Sequence, residues 1–211
     1  MQGLRVSRLS SACLSLPLLF LFCALNAPVD AQLAVVHDRD KQQILVYRVD
    51  KDGNLAAAPV LAQNARADFR PYLHPIQAPD GNGILTQASP SHHKHQTGLY
   101  WGFTRVNDRD YFHHPEGDYW RRAGVNVLKP ATTSGDSSVS WSTVYDMLDA
   151  EGNSVLRETQ TWSLKDEGTR YVLDLVWNGA AKTEVTVGEY DYGGLFLRMP
   201  WTEKTLSLIH I

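Results

Sequence analysis

The stretch Val139–Asn178, VSWSTVYDMLDAEGNSVLRETQTWSLKDEGTRYVLDLVWN, decides the fold. In its first part Val139, Trp141, Thr143, Tyr145 and Met147 alternate with Ser140, Ser142, Val144 and Asp146. Successive side chains of a strand point to opposite faces, so this period of two marks a strand with one face turned to a core. Ala150-Glu-Gly-Asn153 follows as a turn. Val155–Leu164 then sets Leu156, Glu158, Gln160 and Trp162 on one face and Arg157, Thr159 and Thr161 on the other. After a second turn at Lys165-Asp-Glu-Gly168, Tyr171, Leu173, Leu175 and Trp177 share one side of a third strand. Three alternating segments joined by short turns predict an antiparallel meander.

The same pattern extends outward. Ile44–Val49 reads as a strand closed by the turn Asp50-Lys-Asp-Gly-Asn54. No segment carries a convincing helical period, and there is no internal repeat or low-complexity linker. The six tryptophans are spread along the chain, as core or groove-wall residues would be. A sheet of this size must bury one face against another layer, so the expected architecture is an all-β, antiparallel β-sandwich, with a closed barrel as the alternative.

The ends bound the domain. Arg5 and Arg8 precede an apolar run from Leu14 to Leu25, and Val29 and Ala31 fit the small-residue positions before a signal-peptidase cut. The run falls short of the roughly 20 residues that span a bilayer. Residues 1–31 therefore read as a cleaved signal peptide and 32–205 as the β-sandwich domain, exported to the periplasm or the extracellular space. The last six residues, Leu206-Ser-Leu-Ile-His-Ile211, read as a sequencing-adapter scar, which makes the domain C-terminally truncated as written. Both cysteines, Cys13 and Cys23, lie in the leader, so the mature domain has no disulfide. Without residues 1–31 the chain keeps 18 Lys+Arg against 22 Asp+Glu. Such an acidic balance argues against nucleic acid or anionic lipid as partner, and no later segment is apolar enough to span a membrane.

Chemistry concentrates between residues 74 and 114. Six histidines fall there in three groups: His74 in Arg70-Pro-Tyr-Leu-His-Pro75; His92, His93 and His95 in a Ser/Pro/Gly-flanked loop; and His113 and His114 beside Glu116. Imidazole exchanges protons near neutral pH and is also the commonest metal ligand. If residues 92–95 were extended, His93 and His95 would share a face and His92 would point away. A metal ion would need a third ligand from His74, His113, His114 or Glu116, and the spacing matches no established zinc motif. A structural histidine cluster is the plainest alternative. Tyr100, Trp101, Phe103, Tyr111, Phe112, Tyr119 and Trp120 interleave with the histidines and with Arg105, Arg121 and Arg122. Flat apolar faces beside fixed hydrogen-bonding groups suit a sugar ring.

Arg70-Pro-Tyr-Leu-His-Pro75, Ala78-Pro-Asp-Gly81, His95-Gln-Thr-Gly-Leu-Tyr-Trp-Gly102 and Asp110-Tyr-Phe-His-His-Pro-Glu-Gly-Asp-Tyr-Trp120 occur in this order. Over Leu33–Trp201 the chain thereby resembles the PmoA-like family of exported bacterial proteins, a domain of unknown function often called methane oxygenase PmoA. Ser91 stands where more typical members carry an acidic residue. The methane oxygenase subunit itself is an integral membrane protein, whereas the mature part of this chain shows no transmembrane helix. The resemblance implies a sandwich of the sugar-mutarotase type, which acts on a bound sugar with an arginine, two histidines and a late carboxylate. It implies His74, His93 and His95 as catalytic residues and Arg70 as the contact to a sugar oxygen. His92, Trp101, His113, His114 and Glu116 would complete the binding site, with the carboxylate beyond Thr205. The expected function is to bind or transform a carbohydrate or other small molecule without a resident cofactor. The alternatives are a metal-dependent oxidase using the same histidines and a non-catalytic sugar-binding module.

Overall fold

The structure, a computed structural model, describes residues 32–129 and 138–200. The expected leader, the adapter-like tail and any carboxylate beyond Thr205 lie outside the described residues. Ten strands run in chain order: β1 (Gln32–Asp38), β2 (Gln43–Val49), β3 (Leu61–Asn64), β4 (Tyr72–Ile76), β5 (Leu99–Gly102), β6 (Trp120–Lys129), β7 (Ser138–Leu148), β8 (Ser154–Asp166), β9 (Tyr171–Ala181) and β10 (Gly194–Leu197). They form a six-stranded sheet, β1-β2-β3-β4-β5-β10, and a four-stranded meander, β6-β7-β8-β9. Every pairing is antiparallel. Two separate sheets packed face to face make a sandwich, and the barrel alternative falls because among the described residues no strand pairing joins one sheet to the other. The one helical turn among the described residues is the 3-10 turn Gly117–Tyr119.

Local sequence explains the hairpins. In the turn after β2, Asp50 Oδ1 accepts the backbone N–H groups of Asp52 and Asn54, both at 2.9 Å, while Gly53 takes the left-handed φ of 85°. Between β7 and β8 the pattern recurs: Asp149 Oδ1 accepts from Glu151 and Asn153, and Gly152 has φ 83°. An Asp side chain that mimics a backbone turn, followed by a residue free to adopt positive φ, closes both.

The expected alternation is visible in burial. Leu156, Glu158, Gln160, Trp162 and Leu164 of β8 are all buried, and the residues between them are only half so. Leu33, Ile44, Val46, Leu61 and Leu73 of the larger sheet meet Val139, Trp141, Trp162 and Leu164 of the smaller one in the main core. A second cluster joins Val106, Tyr111, Trp120, Tyr145, Met147 and Leu156. Buried indole N–H groups need acceptors, and for three tryptophans polar residues of the inner faces supply them. Trp141 donates to Gln63 Oε1 at 2.5 Å, Trp162 to Gln160 Oε1 at 3.2 Å, and Trp177 to Glu158 Oε2 at 2.9 Å. An ion pair ties the layers together: Arg48 of β2 lies 2.7 Å from the fully buried Asp166 carboxylate at the end of β8.

Candidate functional site

Alternation along β5 and β10 sorts the residues that face the core from those that build the site. Leu99 packs against the main core and Trp101 stacks on Trp177 of β9, with centroids 5.1 Å apart. Tyr100, between them, therefore faces away from the smaller sheet. Its register partner Phe196 lies stacked against it at 5.7 Å. Two loops cover this outer face, Ser89–Thr97 with His92, His93 and His95, and Asp110–Glu116 with His113 and His114.

Arg70 holds both loops. Its side chain is fully buried, and the guanidinium donates to the carbonyls of Phe112 and His95, each at 2.6 Å, and to Thr97 Oγ1 at 3.3 Å. It also lies 3.7 Å over the Tyr100 ring. Burial pushes its pKa down to about 10, against the opposing pull of Tyr100 and Glu158, so it stays charged at neutral pH. Expected as a contact to a sugar oxygen, Arg70 instead has both terminal nitrogens turned onto backbone, because a buried charge must find hydrogen-bond partners.

The 110–113 loop is anchored from two sides. Tyr111 enters the second core cluster, with its hydroxyl donating to the Leu148 carbonyl at 2.7 Å. Phe112 packs on Phe196 and Tyr100. Asp110 Oδ1 accepts the backbone N–H groups of Phe112 and His113, both at 3.0 Å, and Asp110 Oδ2 lies 2.8 Å from His113 Nδ1. Burial alone would raise the pKa of Asp110, but the His113 contacts outweigh it and hold the carboxyl below its ordinary value. On the other edge of the ring, His113 Nε2 is 3.0 Å from the hydroxyl of Tyr192.

His95 sits at the centre. Its ring is 4.6 Å from that of His113, 5.7 Å from His93 and 5.5 Å from Phe112. Burial, then unfavourable electrostatics with His113, Arg70 and His93, drives its pKa down to about 4, so the imidazole is neutral at physiological pH. Two hollows open beside it. One of about 360 Å³ is lined by His93, His95, Gln96, Phe112, His113, Tyr192 and Phe196. The other, about 410 Å³, has Phe69, Ser89, Lys94, Pro115 and Glu116 around the same His95 and His113.

The structure thus brings His93, His95, His113 and Glu116 together and leaves other expected residues apart. Residues 92–95 are not extended: His93 N–H donates to the Pro90 carbonyl and Gln96 N–H to the His93 carbonyl, two successive tight turns. His92 consequently does not point away, and its ring lies 4.8 Å from that of His93, with Nε2 3.5 Å from Arg198. His74, half-buried on β4, has Nδ1 2.9 Å from Thr86 Oγ1, and burial lowers its pKa. Trp101 faces the other sheet, and His114 stacks on Tyr119 at 4.6 Å, exposed to solvent. Asp110 and Tyr192 escaped the sequence reading as site residues. Asp110 could have been suspected from its spacing of three from His113; Tyr192 carries no signal, since 79 residues separate it from its partner. Among the described residues no three His, Cys, Asp or Glu side chains are gathered as ligands around one point. No helix among them is long and apolar enough to cross a membrane.

The model of a family of unknown function, DUF6807, matches residues 35–209, and the chain belongs to that family. The match carries no link to PmoA, so the PmoA-like label expected from the motifs reduces to this family. No curated protein and no solved structure matches the chain.

Proposed function

We propose, with membership of that family of unknown function as the premise, that the outer-face histidine site binds a carbohydrate and acts on it by proton transfer. The observation that carries this reading is the make-up of the smaller hollow. The rings of Phe112, Phe196 and Tyr192 stand beside the hydrogen-bonding edges of His93, His95, His113 and Gln96. An aromatic face takes the apolar face of a pyranose, and imidazole and amide groups fix its hydroxyls. The neutral His95 is ready to accept a proton or a hydrogen bond at neutral pH. The motif resemblance to PmoA-like proteins, and through them to the sugar-mutarotase sandwich, supports the same reading as a fold-level analogy. In this reading His93 and His95 contact the ligand, Glu116 borders the adjoining hollow, and Arg70 acts by holding the carbonyl of His95 in place. The leader-like N-terminus supports export, and the acidic balance speaks against a nucleic-acid partner.

The test is the double substitution His93→Ala, His95→Ala. His93 is exposed, and Arg70 grips the backbone of His95 rather than its ring, so the clamp survives. Stability should change by no more than about 1 kcal/mol. Affinity for monosaccharides in a calorimetric screen should fall at least tenfold. A collapsed thermal midpoint with unchanged affinity in the folded fraction would make the cluster a scaffold. Unimpaired turnover in the double variant would remove the catalytic assignment of His93 and His95, and affinity without any turnover in the parent protein would favour a binding module.

A further inference from the structure

We infer that Tyr192 is the group that exchanges a proton with the ligand, and that His113 and Asp110 are the relay behind it. This rests on the reading of the smaller hollow as a ligand site. The three groups form one line: the Asp110 carboxylate, 2.8 Å to Nδ1 of His113, then 3.0 Å from Nε2 to the Tyr192 hydroxyl. Tyr192, 40% exposed, lies at the end that opens to the hollow.

The geometry determines where the protons sit. Asp110 is ionised, because two backbone N–H groups and His113 converge on its oxygens. Nδ1 of His113 must then carry a hydrogen to face it. A neutral His113 is left with a lone pair at Nε2, and the Tyr192 hydroxyl donates into it. Burial, followed by the Tyr190 hydroxyl, keeps Tyr192 above its ordinary pKa, so it is protonated at rest. The titratable groups around it are Tyr190 and Asp191 on its own segment, Asp110 and His113 on the facing loop, His93 and His95 on the second loop, and Tyr100 on β5. His95, neutral over the physiological range, adds no positive charge against an imidazolium at His113. Phe112 meets the rings of both Tyr192, at 5.1 Å, and His113, at 4.9 Å, and holds them in register.

The step is a double proton shift. A hydroxyl of the ligand gives its proton to the Tyr192 oxygen, while the proton of Tyr192 passes to Nε2 of His113. One O–H bond breaks on the ligand and one forms on Tyr192; the old Tyr192 O–H bond breaks and an N–H bond forms. The ligand is left as an alkoxide and His113 as an imidazolium held by the Asp110 carboxylate. Reversal returns both protons, and no oxidant, reductant or co-reactant is needed. The anomeric hydroxyl of a reducing sugar is the most acidic hydroxyl that a monosaccharide offers, so a reducing sugar is the ligand class that this step fits.

Two independent measurements test it. The first needs no ligand: nitrogen-15 NMR of the histidines in the parent protein, Asp110→Asn and Tyr192→Phe. The relay requires the Nδ1–H tautomer at His113, lost or mixed in Asp110→Asn. An Nε2–H tautomer in the parent protein overturns the inference whatever the ligand is. The second follows anomer interconversion of a panel of aldohexoses by polarimetry. Tyr192→Phe keeps the ring that packs on Phe112 and Phe196, so it should fold, and kcat should fall at least 100-fold. Asp110→Asn should lower kcat about 10–100-fold and displace the basic limb of its pH profile, which a merely structural role would not do. Full activity in Tyr192→Phe overturns the inference. Absence of turnover of every sugar together with the Nδ1–H tautomer leaves the relay standing and overturns the sugar reading.

Discussion

At the scale of single residues, burial perturbs Glu158 and His95 in ways that act in opposite directions on stability. Glu158 is fully buried, and burial pushes its pKa up to about 7 against the Trp177 and Gln160 hydrogen bonds. The folded protein therefore keeps a proton that the unfolded chain has released, and stability contributed by this group is lost as pH rises from about 4.5 through 7. His95 behaves in the opposite sense. The unfolded chain takes up a proton as pH falls below about 6.5, the folded state does so only near 4, and stability is lost on acidification between those values. Over the shared window the two effects oppose one another and flatten the profile of the parent protein. Glu158→Gln should steepen the fall of the thermal midpoint on acidification from pH 6.5 to 4.5. His95→Gln should tilt the profile the other way. Each should depart from the parent profile by roughly 2–4 °C across the window. Three parallel curves in scanning calorimetry would remove both assignments.

At the scale of elements, the motif His95-Gln-Thr-Gly-Leu-Tyr-Trp101 is a joint between the histidine loop and β5. Thr97 meets Arg70, and Gly98 turns the chain with φ 79° while the Leu73 carbonyl of β4 occupies the space a Cβ would need. Gly98→Ala faces both a left-handed backbone and a collision with main chain that cannot swing aside. It should cost at least about 2 kcal/mol and weaken sugar binding, since the loop and β5 shift together. Gly53→Ala is the control. That glycine also has positive φ, at 85°, but nothing within 4 Å, so only the backbone strain of about 1–2 kcal/mol applies and binding is untouched. Urea denaturation of the two variants, with affinity measured alongside, separates strain from collision. Equal losses in both would mean that the close approach to Leu73 carries no weight.

At the scale of the molecule, the Arg48–Asp166 ion pair spans the two layers. Arg48 donates from β2 to Asp166 of β8, to the Pro79 carbonyl and, at 3.3 Å, to the Tyr171 hydroxyl. Removing the guanidinium would strand a carboxylate that is fully buried. Arg48→Met should lower stability by about 2–3 kcal/mol, seen as a lower urea midpoint with an unchanged slope. Adding Asp166→Asn should recover much of it, since the charge left without a partner is then gone. If the double variant is no better than the single one, the packing of the Arg48 stem matters more than its charge. The histidine site lies on the outer face of the larger sheet, so its local chemistry should be unchanged in either variant under native conditions.

The amino-acid sequence by itself determined the sandwich. The run from Val139 to Asn178 alternates so strictly that one register buries Trp141, Trp162 and Leu164, and a slip by one residue would expose them. It also located the chemistry, because six histidines in two loops and one strand mark a place whatever the fold. Tertiary structure alone decided which of them meet. His93 and His95 come together through turns rather than strand alternation, and Trp101 is drawn to Trp177 by the pleat of β5. Arg70 was legible as important but not in its role, since only the tertiary contacts show that both its terminal nitrogens are turned onto the backbone of two loops. Tyr192 was not legible at all. Local sequence specifies period and turn chemistry over a few residues, whereas the line from Asp110 through His113 to Tyr192 exists only because β10 pairs with β5 and carries the preceding residues to the histidine loop.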